Sequence, residues 1–239
     1  MNCYVSLAAF YDRLTEDVDY AGFADRYEKT FRADGGSFHL LLDLCCGTGS
    51  LSLEMSKRGY EMIAVDGSEQ MLMVAREKCA ALPVPPLFLL QDAGELDLYG
   101  TVDAAFCSLE AVNYLSPDIL DAMLGRLFLF IRPGGLFLFD LRSPSYLAAL
   151  DGDTFVDEDD DVFCLWRADY DSGLGALVYG MDLFSREGQF WRRSREEHIE
   201  YAHSLPDLNM LLTKHGFTDL QVEEEEDRLF LRCRRQPDP

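Results

Sequence analysis

The chain has 239 residues, 48% of them apolar and 12% aromatic, ample for a buried core in one large or two small domains. Its formal charge of −22, from 43 acidic against 21 basic residues, has the wrong sign for gripping a phosphate backbone, and so argues against nucleic acid and anionic membrane surfaces as partners. No stretch approaches the ~18 consecutive apolar residues of a membrane span, and Asp12, Arg13, Glu16 and Asp17 arrive too early for a signal peptide, so a cytoplasmic protein is expected.

In chain order, Tyr20, Phe23, Ala24, Tyr27 and Phe31 form a helical stripe over residues 18–33. From 38 to about 141 strand and helix patterns alternate. Strands are predicted near 38–44, 61–65, 86–90, 102–107 and 135–141, and helices near 49–58, 68–80 and 117–131. Such alternation with short connections predicts a parallel sheet covered by helices on both faces. Pro133-Gly134-Gly135 reads as the turn that ends one helix and opens the fifth strand.

Between about 154 and 201 the period falls to two, as in Leu177, Tyr179, Met181 and Leu183, with breaks at Asp171-Ser172-Gly173 and Arg186-Glu187-Gly188. This predicts an antiparallel meander riding on the parallel domain as an insertion. A helix near 205–215 stops at Gly216, and strands near 217–223 and 228–234 close the chain. The expected division is therefore 1–150 with 202–239 as one domain and 151–201 as an insertion. The acidic runs 157–161 and 223–227 read as solvated loops or edges. Seven cysteines, at 3, 45, 46, 79, 107, 164 and 233, make no CxxC pair and are odd in number. That usage fits free thiols in a reducing compartment better than disulfides or a zinc site.

The most informative stretch is Leu40 to Asp66, an apolar strand, the turn Asp43-Leu44-Cys45-Cys46-Gly47-Thr48-Gly49, a helix, and a second strand ending at Asp66. Glycines between strand and helix let a ligand approach the backbone, where a Cβ at Gly47 or Gly49 is expected to obstruct it. A carboxylate ending the next strand accepts hydrogen bonds from both hydroxyls of a ribose. Together they point to a nucleoside-containing cofactor on the carboxyl edge of the sheet. A nicotinamide dinucleotide is the alternative, but Ser52 stands where its third glycine belongs.

The chain here resembles the class I S-adenosylmethionine-dependent methyltransferases, and within them a bacterial small-molecule subgroup. DLCCGTG is similar to the glycine motif, AVDGSEQML to the second motif, LQDAGEL to the third, CSLEAVNYL to the fourth and RPGGLFLFDL to the fifth, with YDRLTEDVDY like the subgroup's N-terminal segment. The resemblance implies S-adenosylmethionine as cofactor and a Rossmann-like, seven-stranded, mostly parallel sheet whose last strand is antiparallel. It implies cofactor contacts from Tyr11, Tyr20, Asp43, Cys45, Gly47, Gly49, Asp66, Gly67, Met71, Asp92, Ala93 and Ser108. Glu110 and Asn113 of the fourth motif could position or deprotonate an acceptor, and His198, at the end of the meander, is of the residue type most often used as a general base. The expected activity is methyl transfer to a small molecule, at N or O rather than C. The expected partners are that acceptor and a second copy of the chain, with the insertion forming an acceptor lid or a dimer surface. A cofactor-binding protein without turnover is the remaining alternative. No metal is expected.

Overall fold

The computed structural model describes residues 6–238, so Cys3 lies outside the described residues. Five parallel strands run in the predicted places: β1 (Leu40–Leu44), β2 (Glu61–Asp66), β3 (Leu87–Leu90), β4 (Val102–Cys107) and β5 (Ile131–Arg142). Helices α1 (Tyr11–Leu14) and α2 (Tyr20–Asp34) precede them, and α3 (Ser50–Lys57), α4 (Glu69–Cys79) and α5 (Pro117–Phe130) connect them. After α6 (Pro144–Ala149) come β6 (Thr154–Asp159), β7 (Val162–Asp171), β8 (Ala176–Glu187) and β9 (Phe190–Tyr201). The chain closes with α7 (Leu205–Lys214), β10 (Phe217–Glu225) and β11 (Arg228–Arg235).

The principal sheet has seven strands in the order β10-β11-β5-β4-β1-β2-β3, and β11 alone runs against its neighbours β5 and β10. Because β1 pairs with β2 on one side and β4 on the other, the strand order reverses there and opens a crevice at their carboxyl ends. Alternation of side chains about the pleat splits the core into two layers. Leu41, Phe106, Leu136 and Leu138 face Ala24, Tyr27 and Phe31 of α2 and Leu51 and Met55 of α3. Leu42, Leu44, Ala105, Cys107, Phe137 and Phe139 face α5 and α7 through Leu120, Met123, Leu127, Leu208 and Leu212. Burying each such side chain contributes about 1.5–3 kcal/mol.

Local chemistry sets the ends of these elements. Asp19 caps α2 by accepting from the Gly22 N–H at 2.8 Å, and Gly35, at φ +73°, closes it. Ser116 caps α5, with Pro117 in its first turn. One boundary differs from expectation. Pro133-Gly134-Gly135 lies inside β5 rather than before it, as a bulge across which the pairing jumps from Val102–Ile131 to Ala104–Leu136. Gly134, at φ +78°, supplies the left-handed residue that the bulge requires.

The meander forms a second, four-stranded antiparallel sheet in the order β6-β7-β8-β9. One face packs on the N-terminal segment, with Val162, Cys164, Met181 and Leu183 against Leu7, Phe10, Tyr11 and Leu14. Farther along, Ala168 and Leu177 pack against Leu147 of α6. Among the described residues no helix is long and apolar enough to cross a membrane.

Candidate active site

A cavity of about 700 Å³ opens at the carboxyl ends of β1, β2 and β4, in the crevice where the strand order reverses. Of the sequence-predicted cofactor residues, Tyr11, Tyr20, Asp43, Cys45, Gly47, Asp66, Gly67, Met71, Asp92 and Ser108 line it. Gly49 and Ala93 are not among its lining residues.

The floor is the turn after β1. Cys45, Gly47 and Gly49 all take left-handed φ, at 59°, 54° and 72°, which folds the backbone tightly between strand and helix. The two glycines have different reasons. A Cβ on Gly47 would meet nothing within 4 Å, so its backbone is bare toward open space. A Cβ on Gly49 would stand 3.0 Å from Ala75 Cβ and 3.3 Å from Phe88 Cε1, so this glycine lets α4 and β3 pack against the turn. The expectation that a side chain at Gly49 would obstruct the ligand is corrected: it would obstruct the protein.

Three carboxylates stand along the edge. Asp66, at the end of β2, accepts the Gly47 N–H on Oδ2 and the Ser68 N–H on Oδ1, both at 2.8 Å. These fix the carboxylate across the turn, and each oxygen keeps a further lone pair. Burial raises its pKa, and the two N–H bonds oppose the rise. Asp43 is fully buried and accepts from Ser52 Oγ at 2.5 Å. Burial, with the nearby Asp66 charge, pushes its pKa up to about 7 against the pull of that hydroxyl. Ser52, standing where a dinucleotide fold would place a glycine, thus orients a carboxylate of the cavity. Asp92 is exposed and caps a short 3-10 turn through the Gly94 N–H at 2.8 Å.

The wall beyond β4 is a strained turn. Leu109 and Glu110 are consecutive non-glycine residues at φ 59° and 49°, a conformation that costs about 1–3 kcal/mol per residue and persists only where its surroundings enforce it. Asp140, at the end of β5, enforces it by accepting both of their backbone N–H groups at 2.9 Å. Its carboxyl, pushed up to about 6 by burial, is paired with Arg228. Ser108, Leu109, Ala111 and Tyr114 of this turn line the cavity. The Ser108 hydroxyl is 2.5 Å from the Tyr27 hydroxyl, which ties it to the core.

The structure does not bring Glu110, Asn113 or His198 to the cavity wall. Glu110 is turned into ion pairs with Arg228 and Arg142. Asn113, fully buried, donates to the backbone oxygens of Arg142 and Tyr201 at 3.3 and 2.9 Å and accepts the Arg142 N–H at 2.9 Å. With these polar groups engaged, it joins β5 to the end of β9. His198 is buried between Trp166 and Tyr114, both edge-on to its ring, with Nε2 3.3 Å from a Glu196 carboxylate oxygen.

Several lining residues carried no sequence signal of their own. Ile199 and Tyr201 come from the insertion's last strand, and Thr48 and Ser50 flank Gly49. Thr48, Ser50 and Lys78 converge on Asp12, a carboxylate of α1. Glu200, buried beside Tyr114, has a pKa pushed up to about 7 by burial and then by the charge of Glu110.

A reversed parallel sheet with a bare glycine turn and carboxylates on its edge defines a protein that binds a nucleoside-bearing cofactor. Comparison with known proteins narrows the class. Residues 41–135 match a family described as a methyltransferase domain. Over 97% of both chains, the sequence is 29% identical to YqeM of Bacillus subtilis (strain 168), which is named as a methyltransferase. An S-adenosylmethionine-dependent methyltransferase from Clostridium acetobutylicum ATCC 824 superposes with a TM-score of 0.85 at 28% identity, over 98% of this chain and 100% of that one. CalS10 of Micromonospora echinaspora, an amino pentose methyltransferase, shares the fold at TM-score 0.77 and 18% identity, over 99% of each chain. Together these similarities support a class I S-adenosylmethionine-dependent methyltransferase.

Proposed function

We propose that this enzyme transfers the methyl group of S-adenosylmethionine to a nitrogen or oxygen of a small molecule that reaches the cavity beneath the insertion. The observation that carries the placement is the open cradle at Gly47 beside Asp43 and Asp66. In this reading Asp66 accepts from the ribose hydroxyls, Asp92 serves the adenine, and Met71 packs on its ring. Asp43 and the turn at Gly47 receive the amino-acid tail. These donors and acceptors match a ligand made of ribose, adenine and a cationic amine.

When bound, S-adenosylmethionine supplies an electrophilic methyl group on a cationic leaving group. The chain's own contribution is then chiefly placement, since fixing two reactants in line removes much of the entropic barrier. Tyr11, Leu109 and Tyr114 wall the cavity that would hold the reactants. Asp140 acts through the strained turn to hold Leu109 and Tyr114 there. A small acceptor is supported by the position of Ile199 and Tyr201, which line the cavity from the insertion side. It is also supported by the net charge of −22, which disfavours polyanions. The sugar N-methyltransferase KedS8 shares the fold at TM-score 0.79 and 20% identity, which is compatible with this class of acceptor.

The test is calorimetric titration with S-adenosylmethionine, its demethylated product and NAD, followed by transfer of labelled methyl to fractionated cell extract. Binding of the first two and label in the small-molecule fraction is expected. Label confined to protein or RNA would overturn the acceptor class.

A further inference from the structure

The N-terminal segment belongs mechanically to the insertion. The Ser6 N–H donates to the Glu196 carboxylate at 2.6 Å, Arg13 pairs with Asp159, and Leu7, Phe10 and Leu14 pack on the insertion's apolar face. Tyr11, in the same segment, lines the cavity. Burial raises the pKa of its phenol, and Tyr20, Glu110, Asp12 and Asp66 raise it further.

The next residue makes the opposite attachment. Asp12 Oδ1 accepts from Thr48 Oγ1 at 2.6 Å and from Lys78 Nζ at 2.8 Å, and its Oδ2 lies 2.7 Å from the same ammonium. Lys78 also donates to Thr48 Oγ1 at 3.0 Å and to Ser50 Oγ at 2.6 Å. One ammonium on α4 thus ties α1 to the glycine turn through two hydroxyls that themselves line the cavity. The side chain of Lys78 is 19% exposed and that of Asp12 40%, so the pair is partly shielded yet reachable by solvent and ions.

We infer that Asp12 and Lys78 are positioning residues forming a latch that holds Tyr11 across the cavity, so that the bound cofactor or its product leaves only after this pair opens. The inference rests on the reading above that this cavity holds the cofactor. Three features favour a latch over a passive surface pair. It joins α1, which packs on the insertion, to α4 and the glycine turn. Both hydroxyls it organises belong to the cofactor turn. It follows directly on Tyr11, which lines the cavity. Because α1 also leans on the insertion, a molecule seated beneath that sheet would bear on the same latch, which couples acceptor binding to cofactor retention.

The test measures release of S-adenosylhomocysteine by stopped-flow displacement, using wild type, Lys78→Met, Asp12→Asn, and the exchanged double variant Asp12→Lys/Lys78→Asp. Both single variants should release the product about tenfold faster, while the exchanged pair, which restores opposite charges across the same gap, should return toward the wild-type rate. Added salt should accelerate release from wild type and leave Lys78→Met nearly unaffected, since screening acts on the pair. Thermal midpoints measured alongside separate loss of the latch from loss of fold. Equal release rates in all four proteins would overturn the latch, as would an exchanged variant as fast as the single ones. Failure of wild type to bind the product at all would instead overturn the cofactor reading on which it rests.

Discussion

The two glycines of the turn after β1 make the sharpest test of how this site is built, because the same substitution should act on different properties. Both residues are left-handed, so an alanine at either position costs about 1 kcal/mol in the backbone. At Gly47 nothing else is added within the protein, since its Cβ would enter open space. At Gly49 the new Cβ would lie 3.0 Å from Ala75 Cβ, an atom fixed to the backbone of α4, and 3.3 Å from the Phe88 ring. Such overpacking costs about 1–3 kcal/mol more. In a chain of this length each kcal/mol moves the thermal midpoint by about 2–4 °C. Gly47→Ala should therefore lower the midpoint of the ligand-free protein by about 2–4 °C, and Gly49→Ala by about 5–15 °C. The order reverses for ligand. In Gly47→Ala the methyl occupies ligand space and should weaken S-adenosylhomocysteine binding about tenfold or more, if the steric cost is again about 1–3 kcal/mol. Gly49→Ala, assayed well below its midpoint, should lose less affinity. Circular dichroism melts and calorimetry suffice. Equal midpoints for the two variants, or wild-type affinity in Gly47→Ala, would refute the division of labour.

Asp43, with its pKa near 7, should make cofactor affinity depend on pH. A cationic ligand favours the ionised carboxylate, so affinity should rise as pH increases through 7 and level off above it, with about a tenfold loss between pH 8 and pH 6. Asp43→Asn should flatten that profile, and a wild-type profile that is already flat would exclude the contact. Asp66→Ala removes a charged hydrogen-bond acceptor and should weaken cofactor binding by about 10- to 150-fold, with a smaller loss of stability from the freed Gly47 and Ser68 N–H groups. Unchanged affinity by calorimetry would place the ribose elsewhere. Asn113→Ala should lower stability by about 2–4 kcal/mol by leaving buried backbone groups of Arg142 and Tyr201 without their partner, while product affinity in the folded protein stays near wild type. A variant of normal stability without methyl transfer would restore Asn113 to the chemistry.

How much of this was written locally can be argued from particular elements. The strands at 40–44, 61–66 and 102–107 and the helix at 69–79 are legible because their apolar periods and caps depend on residues a few positions apart. The turn from Asp43 to Gly49 is legible for the same reason, since a left-handed backbone between strand and helix needs glycine whatever lies beyond it. The meander announced itself by a period of two, and its breaks fall where β7, β8 and β9 are joined. The bulge at Gly134 was visible as a turn but not as part of β5, because only pairing with β4 carries the strand on through it.

Which side chains meet across the fold was decided by tertiary structure alone. Glu110 and Asn113 sit in a motif beside the cavity, yet Arg228 claims one and Tyr201 the other, partners 118 and 88 positions along the chain. Asp12 reaches Lys78 across 66 positions, a pairing that no local pattern announces. Gly49 looked like a ligand contact until α4 was packed against it. Periodicity and turn chemistry are short-range and survive in one dimension. The direction of a polar side chain depends on which charge or backbone group the closed fold leaves within about 3 Å of it, and that is fixed only when the sheet, the insertion and the N-terminal helix have come together.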